Sequence, residues 1–276
     1  MVVMTDEPRL GETNLRLLHE TQESAEKFRV ALSNRLSALD RGVDRAANPE
    51  PAIYDVLFEK AEELEGIIDD AIAKELENWT VWREWLRHVK GIGPSLAGQM
   101  LALLLPPIAE KGPSSWFKAA GLYAEQQPDG LMRLPKARRV RCPNCGGERF
   151  HKVDDARECV GCNERLPEGY GKVSYHPWLR RCLYNVGTSF VRNGGYYRLA
   201  YEDAKARLLR LHEGDKDWPP IRLDRAARWA MVKLFLSHLW EAWCEADGIP
   251  NRGPYIATVK GHTLIPRPMP NGKVKI

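Results

Sequence analysis

No stretch of the sequence is apolar for long enough to cross a bilayer: the longest uninterrupted run, Met100 to Leu105, stops at Pro106-Pro107. The first residues, MVVMTDEPRLGETN, lack the basic start and apolar core of a secretory signal. A cytoplasmic location is therefore expected, with no membrane partner. Cysteine is scarce, at six in 276 residues, so disulfides do not build this fold, and in a reducing compartment the six are expected as thiols or metal ligands. Neither sign of charge dominates, with 41 Lys+Arg against 37 Asp+Glu. What remains is an ordinary composition, 43% hydrophobic and 28% charged, in a chain long enough for one large or two modest cores.

The net charge of +4 conceals a segregation. Residues 1–90 carry 12 Lys+Arg against 19 Asp+Glu, and the remainder 29 against 18, so an acidic front of −7 precedes a basic body of +11. That asymmetry suits a nucleic-acid-binding body with an acidic interaction arm, although Glu-rich solvated helix faces would produce it as well.

The expected fold is mainly α: a helical arm, a helix-hairpin-helix and a helical bundle, with a small inserted β zinc ribbon. In the arm (residues 1–88), Leu15, Leu18, Ala25, Leu32, Leu36, Leu39 and Val43 recur at three- and four-residue steps, interrupted by Gln22 and Arg29. Asn48-Pro49-Glu50-Pro51 ends that helix. A second is expected from about Ala52 through Leu57, Ala61, Leu64, Ile68, Ile72, Leu76, Trp79 and Trp82 to Leu86. The pair reads as an antiparallel hairpin or coiled-coil arm, suited to packing on the body, to self-association or to a partner protein.

Residues 89–125 are entered through His88-Val89-Lys90-Gly91-Ile92-Gly93-Pro94-Ser95, followed by a short apolar helix. This is the helix-hairpin-helix pattern: glycines for the turn, Ile92 as the plug, and Pro94 at the first helical position, where its missing N–H costs nothing. Free amides at such a helix start attract a phosphate oxygen, so Gly91, Ile92, Gly93 and Ser95 are candidate contacts to a nucleic-acid backbone. Ser114 is expected to cap the next short helix and Gly121 to end it.

Residues 126–172 form a basic loop and a four-cysteine zinc ribbon. Arg133, Lys136, Arg138, Arg139 and Arg141 have almost no acidic counterweight and are candidate phosphate contacts. Cys142-Pro143-Asn144-Cys145 and Cys159-Val160-Gly161-Cys162 are two C-x2-C knuckles, with Gly146, Gly147 and Gly161 expected to supply the turns. Four thiolates at this spacing suit one structural zinc ion per chain in a closed tetrahedral shell, with Arg149–Val153 as a strand of the ribbon. An iron–sulfur cluster is the alternative occupant. His151 is an alternate ligand or an exposed ribbon residue, and Cys182 and Cys244 are expected as buried thiols.

In residues 173–250 three helices are expected: one opened by Pro177, one around the Tyr- and Arg-rich Tyr196–Leu211, and one from about Leu223 to Ala246. His238 lies in a Leu/Trp face and reads as a packed core histidine. Residues 251–276 are an extended, Lys-rich tail.

The order of these motifs resembles the C-terminal transposase domain of the bridge-RNA-guided insertion-sequence transposases. A long helix leads into Gly91–Pro94, a Phe-Lys-x-Ala-Gly-Leu stretch follows at Phe117–Leu122, Leu-Arg-Arg-x-Leu-Tyr stands at Leu179–Tyr184, and a Tyr-rich helix begins at Tyr196. The similarity spans roughly residues 55–247. It implies double-stranded DNA as partner, with RNA a further possibility, and the setting of DNA recombination in a mobile element. It also points to Arg180 and Arg181 as phosphate contacts. Two departures matter: the family's RuvC-like metal-binding domain has no counterpart here, and the loop that carries its nucleophilic serine here carries the ribbon, with Ser174 as its one serine. The expected function is backbone binding of DNA. The alternative is a serine-dependent recombinase in which Ser174 attacks a phosphodiester, aided by His176, Arg180 and Arg181.

Overall fold

The computed structural model describes residues 10–41, 51–104, 106–108, 111–123, 125–126, 132–133, 142–147, 149–153, 156–166, 175–251 and 267–268. Among them the fold is mainly helical: α1 (Leu10–Asp40), α2 (Pro51–Leu76), α3 (Thr80–Glu84) with a 3-10 turn at Leu86–His88, α4 (Pro94–Leu103), α5 (Ser114–Ala119), α6 (Pro177–Asn193), α7 (Tyr196–Leu211) and α8 (Pro220–Ala246). The strands are β1 (Glu125–Gln126), β2 (Met132–Arg133), β3 (Phe150–Val153), β4 (Ala156–Cys159) and β5 (Arg165–Leu166). Two compact units result, residues 1–114 with 181–276, and residues 115–180.

In the first unit, α1 and α2 run antiparallel. Three cross-links fix their register: Asn14 Nδ2 donates to Glu75 (2.6 Å), Gln22 Nε2 to Asp69 (2.5 Å) and Arg29 Nε to both oxygens of Glu65 (2.9 and 2.8 Å). The seam is built from Leu15, Ala25 and Leu32 against Ala61, Ile68, Ile72 and Leu76, all buried. The polar interruption in α1 is therefore an inward feature, because Gln22 and Arg29 sit on the seam and reach carboxylates of α2. Leu57 and Leu64, expected on the buried stripe, are instead 38% and 45% exposed, as α2 turns Glu65 and Ile68 to the seam.

The helix expected to run from Ala52 to Leu86 ends at Leu76. The amides of Glu77, Asn78 and Trp79 donate to carbonyls three residues back (3.3, 3.0 and 2.9 Å), which tightens and closes the last turn. The chain then redirects its tryptophans onto α8. Trp79 meets Trp243 edge-on at 5.7 Å, and Trp85 stacks on Phe235 at 6.0 Å. No proline or glycine marks this break, so the apolar periodicity runs straight through it.

At the arm's base α4 crosses both arm helices at Gly98. A β-carbon there would collide with Ile72 Cγ2 and stand 3.6 Å from Leu15 Cδ1, so only glycine permits the approach. Beyond α4, the core centres on α8, whose buried residues include Val232, Phe235, Leu236, Leu239, Trp240 and Trp243. Phe190 of α6 and Tyr197 of α7 pack on Phe235 at 5.0 and 5.3 Å. His238 is a core histidine as expected, with Nδ1 2.9 Å from Tyr197 Oη, and Cys182 and Cys244 are buried thiols. Of the tail, Arg267 is 4% exposed, lies 5.6 Å over the Trp85 ring and donates to Glu245 (2.7 Å), while Trp85 Nε1 donates to Pro268 O (2.8 Å). This part of the tail thus folds back onto its own chain.

In the second unit, β1 pairs antiparallel with β2, and β3-β4-β5 form an antiparallel sheet with Phe150 opposite Cys159 and Glu158 opposite Arg165. Helix α5 ends as the sequence suggested: Gly121 has φ +65°, its amide donates to Lys118 O (3.0 Å), and Leu122 N donates to Phe117 O (2.8 Å). Ser114 is the first residue of that helix.

Candidate metal centre and hairpin cavity

The two C-x2-C segments fold as copies of one local structure. In the first, Cys142 N donates to Gly147 O (2.8 Å) and Gly146 N to Cys142 O (2.9 Å). In the second, Cys159 N donates to Glu164 O (3.0 Å) and Asn163 N to Cys159 O (2.8 Å). The fourth residue after each leading cysteine takes the left-handed conformation, Gly146 at φ +71° and Asn163 at φ +56°. Asn163 therefore supplies the turn that was expected of Gly161, as asparagine tolerates this region better than most residues. Gly161 acts instead on the sulfur, since its amide donates to Cys159 Sγ (3.4 Å) and holds that thiol's pKa down to about 7. Sheet pairing brings the knuckles together, because β4 ends on Cys159 and Arg149, just before β3, accepts the Val160 amide through its carbonyl (3.0 Å).

The four Sγ atoms converge, all within 4.8 Å of one another. Cys142 and Cys162 approach to 3.5 Å, and Cys145 and Cys159 to 3.4 Å. These separations exclude disulfide bonds, which need about 2.05 Å, and match the roughly 3.8 Å edge of a tetrahedron of sulfurs at about 2.3 Å from a metal. Gly147 leaves room for this packing, since a β-carbon there would lie 3.3 Å from the sulfurs of Cys145 and Cys159. The thiols fit a metal ion in a closed shell, with no position left for a reacting water. His151 does not join them; its Nε2 lies 3.4 Å from Glu158 on the neighbouring strand.

The Gly91–Ser95 segment forms the expected turn between two helical pieces. Ile92 is buried and its amide donates to Val89 O (3.0 Å), so it is the plug. Gly91 needs to be glycine: φ is +97°, a β-carbon would stand 3.3 Å from Phe190 and Ser189, and Ser189 Oγ donates to its carbonyl (2.5 Å). Gly93 does not, for φ is −97° and a β-carbon would meet nothing within 4 Å. Pro94 opens α4 as expected, and Gly93, Pro94 and Ser95 are exposed.

This turn forms one wall of a cavity of about 470 Å³. The other walls are His19, Gln22, Glu23, Glu26 and Arg29 of α1, Glu65 and Asp69 of α2, and Arg181, Asn185 and Ser189 of α6. Gln22 Nε2 joins the parts, donating to Ser95 Oγ (2.7 Å) as well as to Asp69. Four carboxylates thus stand near amides that the sequence placed on a basic body. Their positions depend on arm packing that joins residues as far as 73 apart in the chain, and the one local hint was the pair of polar residues on the α1 seam.

The other candidate residues are distributed as follows. Arg181 lines the cavity. Arg180 lies in the second unit, 4.8 Å over the Tyr175 ring. His176 caps α6, its Nδ1 accepting from Leu179 N (3.2 Å), which ties up the nitrogen a general base would use. The backbone of Arg133 lies in β2. Ser174, Lys136, Arg138, Arg139 and Arg141 lie outside the described residues. No helix among the described residues is long and apolar enough to cross a membrane. Neither protein-family models nor curated proteins yield a match to this chain.

Proposed function

We propose that the chain binds nucleic acid, duplex DNA first among the candidates, by its phosphate backbone at the Gly91–Ser95 turn, and that its four cysteines hold one structural zinc ion. The observation that carries the first part is the exposed start of α4, a ten-residue helix whose first turn, Gly93–Ser95, is open to solvent beside a glycine that no packing requires. Amides at a helix start attract anions, and a residue without a side chain lets a phosphate oxygen reach them. This agrees with the basic body and with the resemblance to transposase C-terminal domains. Zinc is favoured by the all-thiol donor set and by the tetrahedral spacing of the sulfurs. Exposed Ile53, Val56, Leu57, Leu64 and Ile67 on α2 support self-association or partner docking through the arm.

Binding of a random duplex, followed by fluorescence anisotropy, should weaken by roughly tenfold or more between about 50 and 200 mM salt. Gly93→Glu places a carboxylate where the phosphate would sit, in open space and at a φ that any residue adopts, so the variant should keep its helical content while losing affinity about tenfold or more. Unchanged affinity in the folded variant removes the turn from the reading. Elemental analysis of reduced protein should give about one zinc per chain, and well under one rejects the zinc site.

A further inference from the structure

Both arm helices carry a second row of side chains beside the row that joins them. In α2 the seam toward α1 advances by alternating steps of three and four through Ala61, Glu65, Ile68 and Ile72. Each is preceded by a member of another row, Lys60, Leu64, Ile67 and Ala71, which Leu57 and Ile53 extend toward the start of the helix. In α1 the seam residues Gln22, Ala25, Arg29 and Leu32 are likewise preceded by Thr21, Ser24, Phe28 and Ala31. One residue back is a turn of about 100° around a helix, and because the two helices run antiparallel, it brings both rows to the same side of the arm. The cavity checks this geometry, since Glu23, Glu26 and Asp69, which line it, each follow a seam residue by one. The preceding rows therefore form the opposite face, turned away from the cavity.

That face is apolar and exposed. Ile53, Leu57, Leu64 and Ile67 of α2 are 53%, 38%, 45% and 61% exposed, and Phe28 of α1 is 49% exposed. The cross-links Gln22–Asp69 and Arg29–Glu65 set Phe28 level with Leu64, so the centre of the face is one continuous patch. We propose that this face binds the same face of a second copy of the chain, with α2 of each copy lying on α1 of the other in an antiparallel four-helix bundle. The proposal rests on the docking role given to the arm above and is independent of the nucleic-acid reading.

Charge selects both the occupant and its orientation. Helix α2 carries eight acidic residues against two lysines, and α1 five acidic against four basic. Laying α2 on its own copy brings the two most acidic helices together, whereas a two-fold axis along the arm lays α2 on the α1 of the second copy, antiparallel to it. That axis keeps every residue at its own level. Glu63, which pairs with Lys60 on its own helix (2.6 Å), then stands at the outer edge of α2 level with Lys27 of the second copy, and both are exposed. The face thus carries both halves of its own complement.

From Ile53 to Ala71 the face is about 28 Å long and, across two helices, roughly 20 Å wide, or ~550 Å² per copy. Two copies bury about 1,100 Å², just past the roughly 1,000 Å² that a specific interface needs and well short of an obligate one. The expected dimer is therefore reversible, in the micromolar range.

Sedimentation velocity of the full-length chain in reducing buffer, from about 1 to 100 μM, tests this. The wild type should pass from monomer to dimer over that range, while Leu64→Glu/Ile67→Glu should stay monomeric with unchanged far-UV dichroism, since both side chains are exposed. A wild type that is monomeric throughout overturns the second copy as occupant and leaves the face to a different protein. A double variant that dimerises as the wild type does removes the arm from association altogether, the docking role above included. A charge exchange tests the arrangement. Glu63→Lys and Lys27→Glu should each weaken self-association roughly threefold to tenfold, because two like-charge pairs replace two opposite-charge pairs, and mixing the two variants should restore it. Single variants that dimerise like the wild type, or no recovery on mixing, overturns the placement of α2 on the α1 of the second copy.

Discussion

Three helical glycines that are indistinguishable in sequence should respond to alanine with opposite signs. Gly66 of α2 is exposed and its β-carbon would meet nothing within 4 Å, so Gly66→Ala should stabilise by about 0.5–1 kcal/mol through helix propensity alone. At Gly98 the same gain of about 1 kcal/mol competes with a β-carbon driven into Ile72 Cγ2, where overpacking costs about 1–3 kcal/mol. Both Ile72 and Leu15 are 0% exposed, so neither can move into solvent to make room. Gly98→Ala should therefore destabilise by about 1 kcal/mol, which places the two variants about 2 kcal/mol apart. Gly187 falls between them, because its nearest neighbours, at 2.9 and 3.1 Å, are the flexible stem of Arg228 and a methyl of Val232. The decisive measurement is a double-mutant cycle. Ile72→Ala alone should cost about 2–5 kcal/mol, and Gly98→Ala added to it should cost nothing or recover stability, giving a coupling of about 1 kcal/mol or more. Urea unfolding followed by tryptophan fluorescence suits this, since seven of the nine tryptophans lie in the first unit. If Gly98→Ala stabilises like Gly66→Ala, and adds simply to Ile72→Ala, then α4 does not approach the arm closely enough to require glycine.

Removing the metal should unfold the ribbon and spare the helices. Chelation should abolish the cobalt–thiolate absorption of cobalt-substituted protein while far-UV dichroism keeps its helical signature, because the first unit has a core of its own. Asn163→Val, which forces a β-branched residue to φ +56°, should weaken metal retention in the same assay, whereas Asn163→Gly should keep it. Tyr197→Phe deletes the hydroxyl bonded to His238 in the core and should cost about 1–2 kcal/mol in urea unfolding. His19 has a folded-state pKa below its unfolded value of about 6.5. The unfolded chain therefore binds the extra proton, and the stability His19 contributes is lost as pH falls through about 6.5. Between about pH 7.5 and 5.5 the wild type should lose more stability than His19→Gln, and parallel losses would refute the assignment.

The parts of this fold legible in the sequence are those that depend on near neighbours. The metal knuckles follow from spacing, since each C-x2-C closes on itself through hydrogen bonds four and five residues away. The antiparallel arm follows from two apolar periodicities around a proline-rich link. What escaped was set at long range. Helix α2 ends at Leu76 because α8, more than 140 residues later, offers Trp79 and Trp85 aromatic partners. The left-handed site at Asn163 was masked by a nearby glycine, Gly161, whose amide serves the Cys159 sulfur instead.

The polar interruption of α1 carries more information than the leucines around it. A polar residue on a helix seam must find a partner or destabilise the packing, so Gln22 and Arg29 between apolar positions already imply acceptors across the arm. Asp69 and Glu65 are those acceptors, and Gln22 extends the connection to Ser95 at the start of α4. The arm thus does more than present an acidic surface. Through one amide side chain it ties a carboxylate to the helix end where an anion would bind, so the arm's register and the electrostatics of that helix end are coupled. Gln22→Leu separates the two roles. It removes the tie to Asp69 and Ser95 at a partly exposed position, so the arm should hold most of its stability in urea unfolding while duplex affinity at the turn changes. A variant that lost the arm's fold would instead show that Gln22 serves packing alone.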